Sequence, residues 1–146
     1  SWSSGIRLYV ANLTSNFSVN REDRAFKGFE AIAVSRIDGP YSGLTAEIVS
    51  NKNNWKPPVI ASQRQSSATF ADKEQIWVDN ASSSPFFGNV YVCFAQYRGS
   101  GAAPLVVTRS TDGGNTWEQR QVTAATNVPP MMWGQSGCTI RTASIS

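Results

Sequence analysis

The sequence predicts an all-β fold built from stacked antiparallel sheets. Turn-rich breaks recur at regular intervals, and helical periodicity is scarce. The run from Asn89 to Tyr97 is also apolar on both of its alternating faces: Val90, Val92 and Phe94 oppose Tyr91, Cys93 and Ala95. Such a strand is covered on both sides, as happens where sheets stack.

Six candidate strands follow in order. Ile6–Ala11 contains Leu8-Tyr9-Val10, and Phe29–Arg36 contains Ala31-Ile32-Ala33-Val34. Glu74–Asp79 holds Ile76-Trp77-Val78, and Asn89–Tyr97 is the doubly apolar run. Pro104–Arg109 carries Leu105-Val106-Val107, and Trp117–Thr123 follows a turn cluster. Asp112-Gly113 between the last two is a strong hairpin signal.

Composition narrows the function classes. The 146 residues suffice for one domain with a real core. Hydrophobic residues make up 40% and charged residues 16%, which is too apolar for general disorder. The net charge of +3 comes from basic residues scattered from Arg7 to Arg141, not the concentrated stripe that nucleic-acid binding needs. With no histidine, Ser-His-Asp and Cys-His catalysis are excluded within this chain. Two cysteines cannot build a Cys-rich metal site. Cys93 and Cys138 read either as a disulfide or as two buried thiols, and the apolar strand around Cys93 favours the thiol reading. No cofactor or metal is expected. No stretch is long enough to span a membrane and no signal peptide is visible. A start at Ser1 rather than Met reads as processed or excised.

The strands form a repeat. Val90-Tyr91-Val92, Leu105 to Arg109, an Asp-Gly turn and Trp117 make one series. Leu8-Tyr9-Val10, Ala31 to Arg36, Asp38-Gly39 and Trp55 make an earlier, degenerate one. The spacing from Trp55 to Trp117 exceeds a usual propeller blade of roughly 40–50 residues, and the excess is placed in loops 61–70 and 81–87. Gly137–Thr142 lines up with Lys73–Val78, the opening strand of the second series. The expected organisation is an incomplete blade over 1–61, a complete one over 72–123, and the start of another over 135–146. Such a slice leaves open sheet edges, which self-associate or pack on further blades.

Two motifs carry a family resemblance. Ser110-Thr111-Asp112-Gly113-Gly114-Asn115-Thr116-Trp117 fits Ser-x-Asp-x-Gly-x-Thr-Trp at every fixed position. Asp72-Lys73-Glu74-Gln75-Ile76-Trp77-Val78-Asp79 is followed by Ser84-Pro85-Phe86-Phe87-Gly88-Asn89-Val90-Tyr91-Val92. Together they span roughly a third of the chain. They resemble the Asp-box (BNR-repeat) sialidase-like β-propeller superfamily, the second motif being similar to blades of bacterial secreted members.

The resemblance implies four-stranded antiparallel blades of a sialidase-like propeller, here partial. It implies that Ser110, Asp112, Gly114, Thr116 and Trp117 are structural, between the third and fourth strands and away from any active site. The competing reading of Asp112 as a calcium ligand offers too few oxygens for a site of six to eight ligands. It also implies that first strands line a central channel, which places Asp72, Lys73 and Glu74, with Gln135 and Arg141, as candidate ligand-facing residues. Asp72 and Glu74, two apart, would share a strand face, as an acid/base or sugar-binding pair or, more commonly, as acceptors of hydrogen bonds from a neighbouring blade. Arg141 reads either as a carboxylate binder or, more plainly, as a surface or blade-bridging arginine. Sialidases clamp a carboxylate with three arginines and use a Tyr nucleophile paired with a Glu. No arginine here lies in the Phe-Arg-Ile-Pro motif, and no motif places the nucleophile on Tyr9, Tyr41, Tyr91 or Tyr97. The catalytic residues therefore remain unassigned. The implied function is a segment of a secreted or cell-surface exo-glycosidase acting on glycans. The alternative is a non-catalytic propeller that binds glycan or protein.

The remaining features have plain readings. Asn12, Asn16 and Asn80 open glycosylation sequons. Pro57-Pro58 and Pro129-Pro130 mark edges or loops, and Met131-Met132-Trp133 reads as packing.

Overall fold

A computed structural model describes residues 5–15, 30–62, 69–98, 102–125 and 137–143. Two antiparallel sheets account for most of them. The first runs β1 (Ile6–Ser15), β2 (Glu30–Gly39) and β3 (Trp55–Ile60), in that order across the sheet. The second runs β4 (Thr69–Val78), β5 (Val90–Arg98), β6 (Leu105–Ser110) and β7 (Glu118–Gln121). Sequential neighbours pair throughout. The helical content described is a five-residue helix, α1 (Ala46–Ser50), and one 3-10 turn, Lys52–Asn54. Neither is long and apolar enough to cross a membrane.

Strand alternation sets the core. In β5, Val90, Val92 and Phe94 are fully buried and face the first sheet. They meet Tyr9 of β1 and Ile32 and Val34 of β2, with Val106 of β6 beside them. The opposite face of β5 is covered too, with Cys93 and Ala95 buried. The seam is stitched after β3. Ala61 N–H donates to the Ile32 carbonyl at 2.8 Å, Thr108 Oγ1 donates to the Ala61 carbonyl at 2.7 Å, and Ser62 Oγ accepts from Ile32 N at 2.9 Å.

Several sequence expectations change here. β3 was not among the expected strands, because Pro57 and Pro58 break the usual signal. Both prolines sit on the edge of the first sheet, where a missing N–H costs no ladder bond. Asp38-Gly39 is not a turn. β2 continues through it, pairing Asp38 with Arg7 and Gly39 with Ile6. The turn follows at Pro40–Gly43, where Gly43 N donates to the Pro40 carbonyl. β4 begins at Thr69, earlier than expected, and crosses a bulge between Asp72 and Gln75. Residues 137–143 carry no strand ladder. Phe29, Asn16, Gln135, Met131-Met132-Trp133 and Pro129-Pro130 lie outside the described residues.

The thiol reading of the cysteines is overturned. Cys93 is buried as expected, but it forms a disulfide with Cys138 across a Cα–Cα distance of 6.2 Å. Apolar surroundings report burial, not whether a second cysteine reaches the same face. Here Cys93 points away from the first sheet, and 137–143 lies against that outer side.

The bridge closes a loop with a sequence separation of 45. Replacing both cysteines with alanine is expected to lower the unfolding free energy by about 2–4 kcal/mol. The urea midpoint should fall accordingly. An unchanged midpoint would show that the bridge constrains nothing the fold needs.

Candidate functional site

The β6–β7 connection is the most heavily hydrogen-bonded turn among the described residues. It opens at Ser110, whose hydroxyl donates to Asp112 Oδ1 at 2.8 Å and accepts from Gly114 N at 2.8 Å. Asp112 Oδ1 also accepts from Asn115 N (3.1 Å) and Thr116 N (2.9 Å), while Oδ2 accepts from Thr116 Oγ1 at 2.5 Å. Asn115 Nδ2 donates back to the Asp112 carbonyl at 2.7 Å. Gly113 and Gly114 take positive φ of 75° and 86°, which side chains disfavour. Trp117 closes the turn by donating its indole N–H to the Gly114 carbonyl at 3.1 Å. Trp55 behaves similarly at the head of β3, donating to the Val49 carbonyl at 2.9 Å.

This network sets the charge state of Asp112. Partial burial opposes ionisation. The bonds from Thr116, Ser110 and Asn115 outweigh it and hold the pKa down to about 2, from an ordinary 3.8. Among the described residues, the oxygen contacts of the Asp112 side chain come from the turn itself.

The turn is also gripped from the first sheet. The Gly113 carbonyl accepts from Arg7 Nη1 at 3.0 Å and Arg36 Nη1 at 3.3 Å. Arg36 Nη1 also donates to Asn115 Oδ1 at 2.6 Å. Arg36 is buried, an unusual state for a cation, and its Nε has no hydrogen-bond partner there. Arg7 is held in turn by Asp38, through Nε and through Nη2 at 2.7 Å. That bond raises the Arg7 pKa and lowers that of Asp38. Burial raises the Tyr9 phenol while Arg7 and Arg36 pull it down. Gly114 leaves no room for a side chain: a Cβ there would stand 2.8 Å from Arg36 Cδ and 3.2 Å from Tyr9 Cε1. An open cleft of about 550 Å³ lies beside this contact, lined by Arg7, Tyr9, Val78, Asn80, Phe87 and Thr111 among others. Arg7, the cation in its lining, bonds to Asp38 and to the Gly113 carbonyl.

The second motif proves to be a turn staple as well. Asp79 is buried, accepting from Ala81 N at 3.1 Å and Ser84 Oγ at 2.7 Å. Its backbone pairs with Asn89 and Gly88, closing the β4–β5 loop. Asp72, Lys73 and Glu74 fall at the β4 bulge. Lys73 has a left-handed φ of 52°. Asp72 accepts from Lys73 N at 2.9 Å and pairs with Lys73 Nζ at 3.3 Å. The bulge interrupts the two-residue alternation, so the expected shared face for Asp72 and Glu74 does not follow. The register instead sets Asp72 opposite Ala95, Gln75 opposite Cys93 and Trp77 opposite Tyr91. Those three share the outer face of the second sheet.

Arg141 lies on that face. Its guanidinium stacks 4.4 Å from the Trp77 ring centroid. Nη1 donates to Gln75 Oε1 at 3.2 Å and to the Ile140 carbonyl at 2.6 Å. Gln75 Oε1 also accepts from Ile140 N, and Trp77 Nε1 donates to Thr142 Oγ1, both at 2.9 Å. Arg141 is exposed, and no carboxylate pairs with it among the described residues. Gln75 and Trp77 were missed from the sequence as site residues. The signal was a tryptophan in a strand beside a polar run, which packing explains equally well. Trp77 is level with Tyr91 and Arg109, one residue from the level of Ser110. The Arg141 platform is therefore separated from the β6–β7 turn across the sheet more than along the strands.

No family model, curated protein or solved structure matches this chain.

The low pKa of Asp112 fixes its pH dependence. A depressed carboxylate stabilises the fold fully above its unfolded pKa near 3.8, and that contribution is lost as pH falls towards about 2. Asp112→Asn is expected to cost about 1 kcal/mol at neutral pH, allowing for solvent screening at this exposed turn. The gap in urea midpoint between wild type and variant should narrow as pH falls from 4 towards 2 (roughly the interval of the shift). A gap independent of pH would contradict the staple.

Proposed function

We propose that this chain is a segment of a secreted, sialidase-like Asp-box propeller, and that its Arg141 platform binds glycans bearing a carboxylate. The observation that carries this reading is the exposed Arg141 guanidinium, held by Trp77 and Gln75 and paired with no acid among the described residues. A planar guanidinium fixed by an indole face is preorganised for two parallel bonds to a carboxylate. Gln75 and Thr142 add polar edges of the kind that orient a sugar. The Asp-box motif supports the propeller setting, with Ser110, Asp112, Gly114, Thr116 and Trp117 as scaffold.

We develop the binding reading because four aspartates among the described residues are committed locally. Glycoside hydrolysis needs two carboxyl groups flanking the bond. Asp79 and Asp112 are consumed in turns, Asp38 pairs with Arg7 and Lys56, and Asp72 with Lys73. The exo-glycosidase reading draws on the same Arg141, with this chain supplying channel wall and other blades the catalytic groups.

Titration of the protein with a sialylated trisaccharide, followed by NMR, tests the reading. Arg141→Ala is expected to weaken binding by roughly 10- to 100-fold, the loss of a charge-assisted pair. Arg141→Lys should recover only part of it. Binding indifferent to Arg141→Ala, or no binding at all, contradicts the proposal. Turnover of a fluorogenic sialoside would favour the glycosidase reading.

A further inference from the structure

We infer that Lys73 is a second anion contact beside Arg141, and that the glycan this pair selects carries carboxylates on two successive sugars. The inference rests on the carboxylate-binding reading of Arg141 and names the class of ligand which that reading leaves open.

Lys73 and Arg141 belong to one lane. Residues 137–143 follow β4 along its outer face, in the direction of the strand. Gly137 lies against Lys73, Ile140 and Arg141 bond to Gln75, and Thr142 bonds to Trp77. A Cβ on Gly137 would stand 3.8 Å from both Cβ and Cδ of Lys73, so the lysine stem is laid against the segment that carries Arg141. Gln75 sits between the two cations. It is two residues from Lys73, about 7 Å at a strand rise of roughly 3.3 Å per residue. That interval suits acidic groups on neighbouring sugars.

Local backbone rules do not call for a lysine here. Asp72 stands opposite Ala95 and Gln75 opposite Cys93, so β4 holds one residue more than β5 across the bulge. Lys73 takes the left-handed φ of 52° in that bulge, a conformation ordinarily given to glycine. Its side chain is 58% exposed, so burial does little to offset the strain. What the bulge does achieve is to re-aim a side chain. It delivers an ammonium group to the lane.

The neighbouring acid leaves that ammonium usable. Asp72 Oδ2 pairs with Lys73 Nζ at 3.3 Å, taking one of its three donors. An exposed pair of this kind is worth little and yields to a competing carboxylate. The two cations also differ in shape. The planar Arg141 guanidinium orients its carboxylate through two parallel bonds, whereas the compact Lys73 ammonium on a flexible stem donates in several directions. Arg141 therefore fixes one acidic sugar, and Lys73 rewards a second acid next to it.

Two probes test the inference: the sialylated trisaccharide, with one carboxylate, and its homologue extended by a second, successive sialic acid. The readout is the ratio of their dissociation constants by NMR titration. Wild type should bind the two-carboxylate glycan about 5-fold more tightly, the scale of one exposed charge pair. Lys73→Ala should bring the ratio close to one, and Lys73→Arg should retain the preference. Lys73→Gly, which relieves the positive φ, should also lose the preference while its urea midpoint stays level or rises. It serves as the main variant if Lys73→Ala does not fold. A wild-type ratio of one, with binding of both glycans lost in Arg141→Ala, would overturn this inference alone. A preference that survives both Lys73→Ala and Lys73→Gly would do the same. Binding of neither glycan would overturn the carboxylate reading of Arg141 together with it.

Discussion

The Asp112 carboxylate accepts four hydrogen bonds from the turn that contains it, and the rest of the structure leans on that turn. A surface loop with two residues at positive φ would ordinarily be free to fluctuate. Here the carboxylate replaces the missing ladder and fixes the direction of the Gly113 carbonyl. That carbonyl then becomes the acceptor for two arginines of the other sheet. Burying Arg36 is tolerable only because acceptors are waiting at a fixed distance, since an uncompensated buried cation costs several kcal/mol. One constraint thus links a local turn, the packing of two sheets and the charge pattern of β1 and β2.

Much of this was legible in the sequence, for identifiable reasons. The β5 run is apolar on both faces, so its place between two layers could be read from period alone. The Asp-Gly pair between apolar runs gave the β6–β7 hairpin. The rest depended on contacts between segments far apart in the chain. Nothing near Cys93 reveals that Cys138 reaches it. Arg7 and Arg36 look like ordinary strand cations until Gly113 is set beside them. β3 was hidden by prolines that only an edge position tolerates, and the β4 bulge by the absence of any local signal at Lys73. The Arg141 platform needed 137–143 to be laid on β4, which alignment hinted at but could not orient.

Two kinds of polar constellation emerge, and they differ in what their charges do. In the β6–β7 turn and in the Asp79 loop, carboxylates are spent on backbone amides and hydroxyls of their own turns. At Arg141 the cation is supported by neutral groups, an indole face and amide oxygens, and no acid pairs with it among the described residues. The disulfide connects the two themes. It holds the segment carrying Arg141 against a strand whose opposite face is the inter-sheet core.

Amide hydrogen exchange tests the central claim, that the β6–β7 turn is a fastener of the two sheets and not a surface loop. The amides of Gly114, Asn115 and Thr116 are bonded to Ser110 and Asp112 side chains. If those bonds break only when the sheets part, the three amides should exchange as slowly as the core amides of β5, through global unfolding. Exchange at the rate of an open loop, with β5 still protected, would show that the turn opens by itself and that the sheets stay together without it.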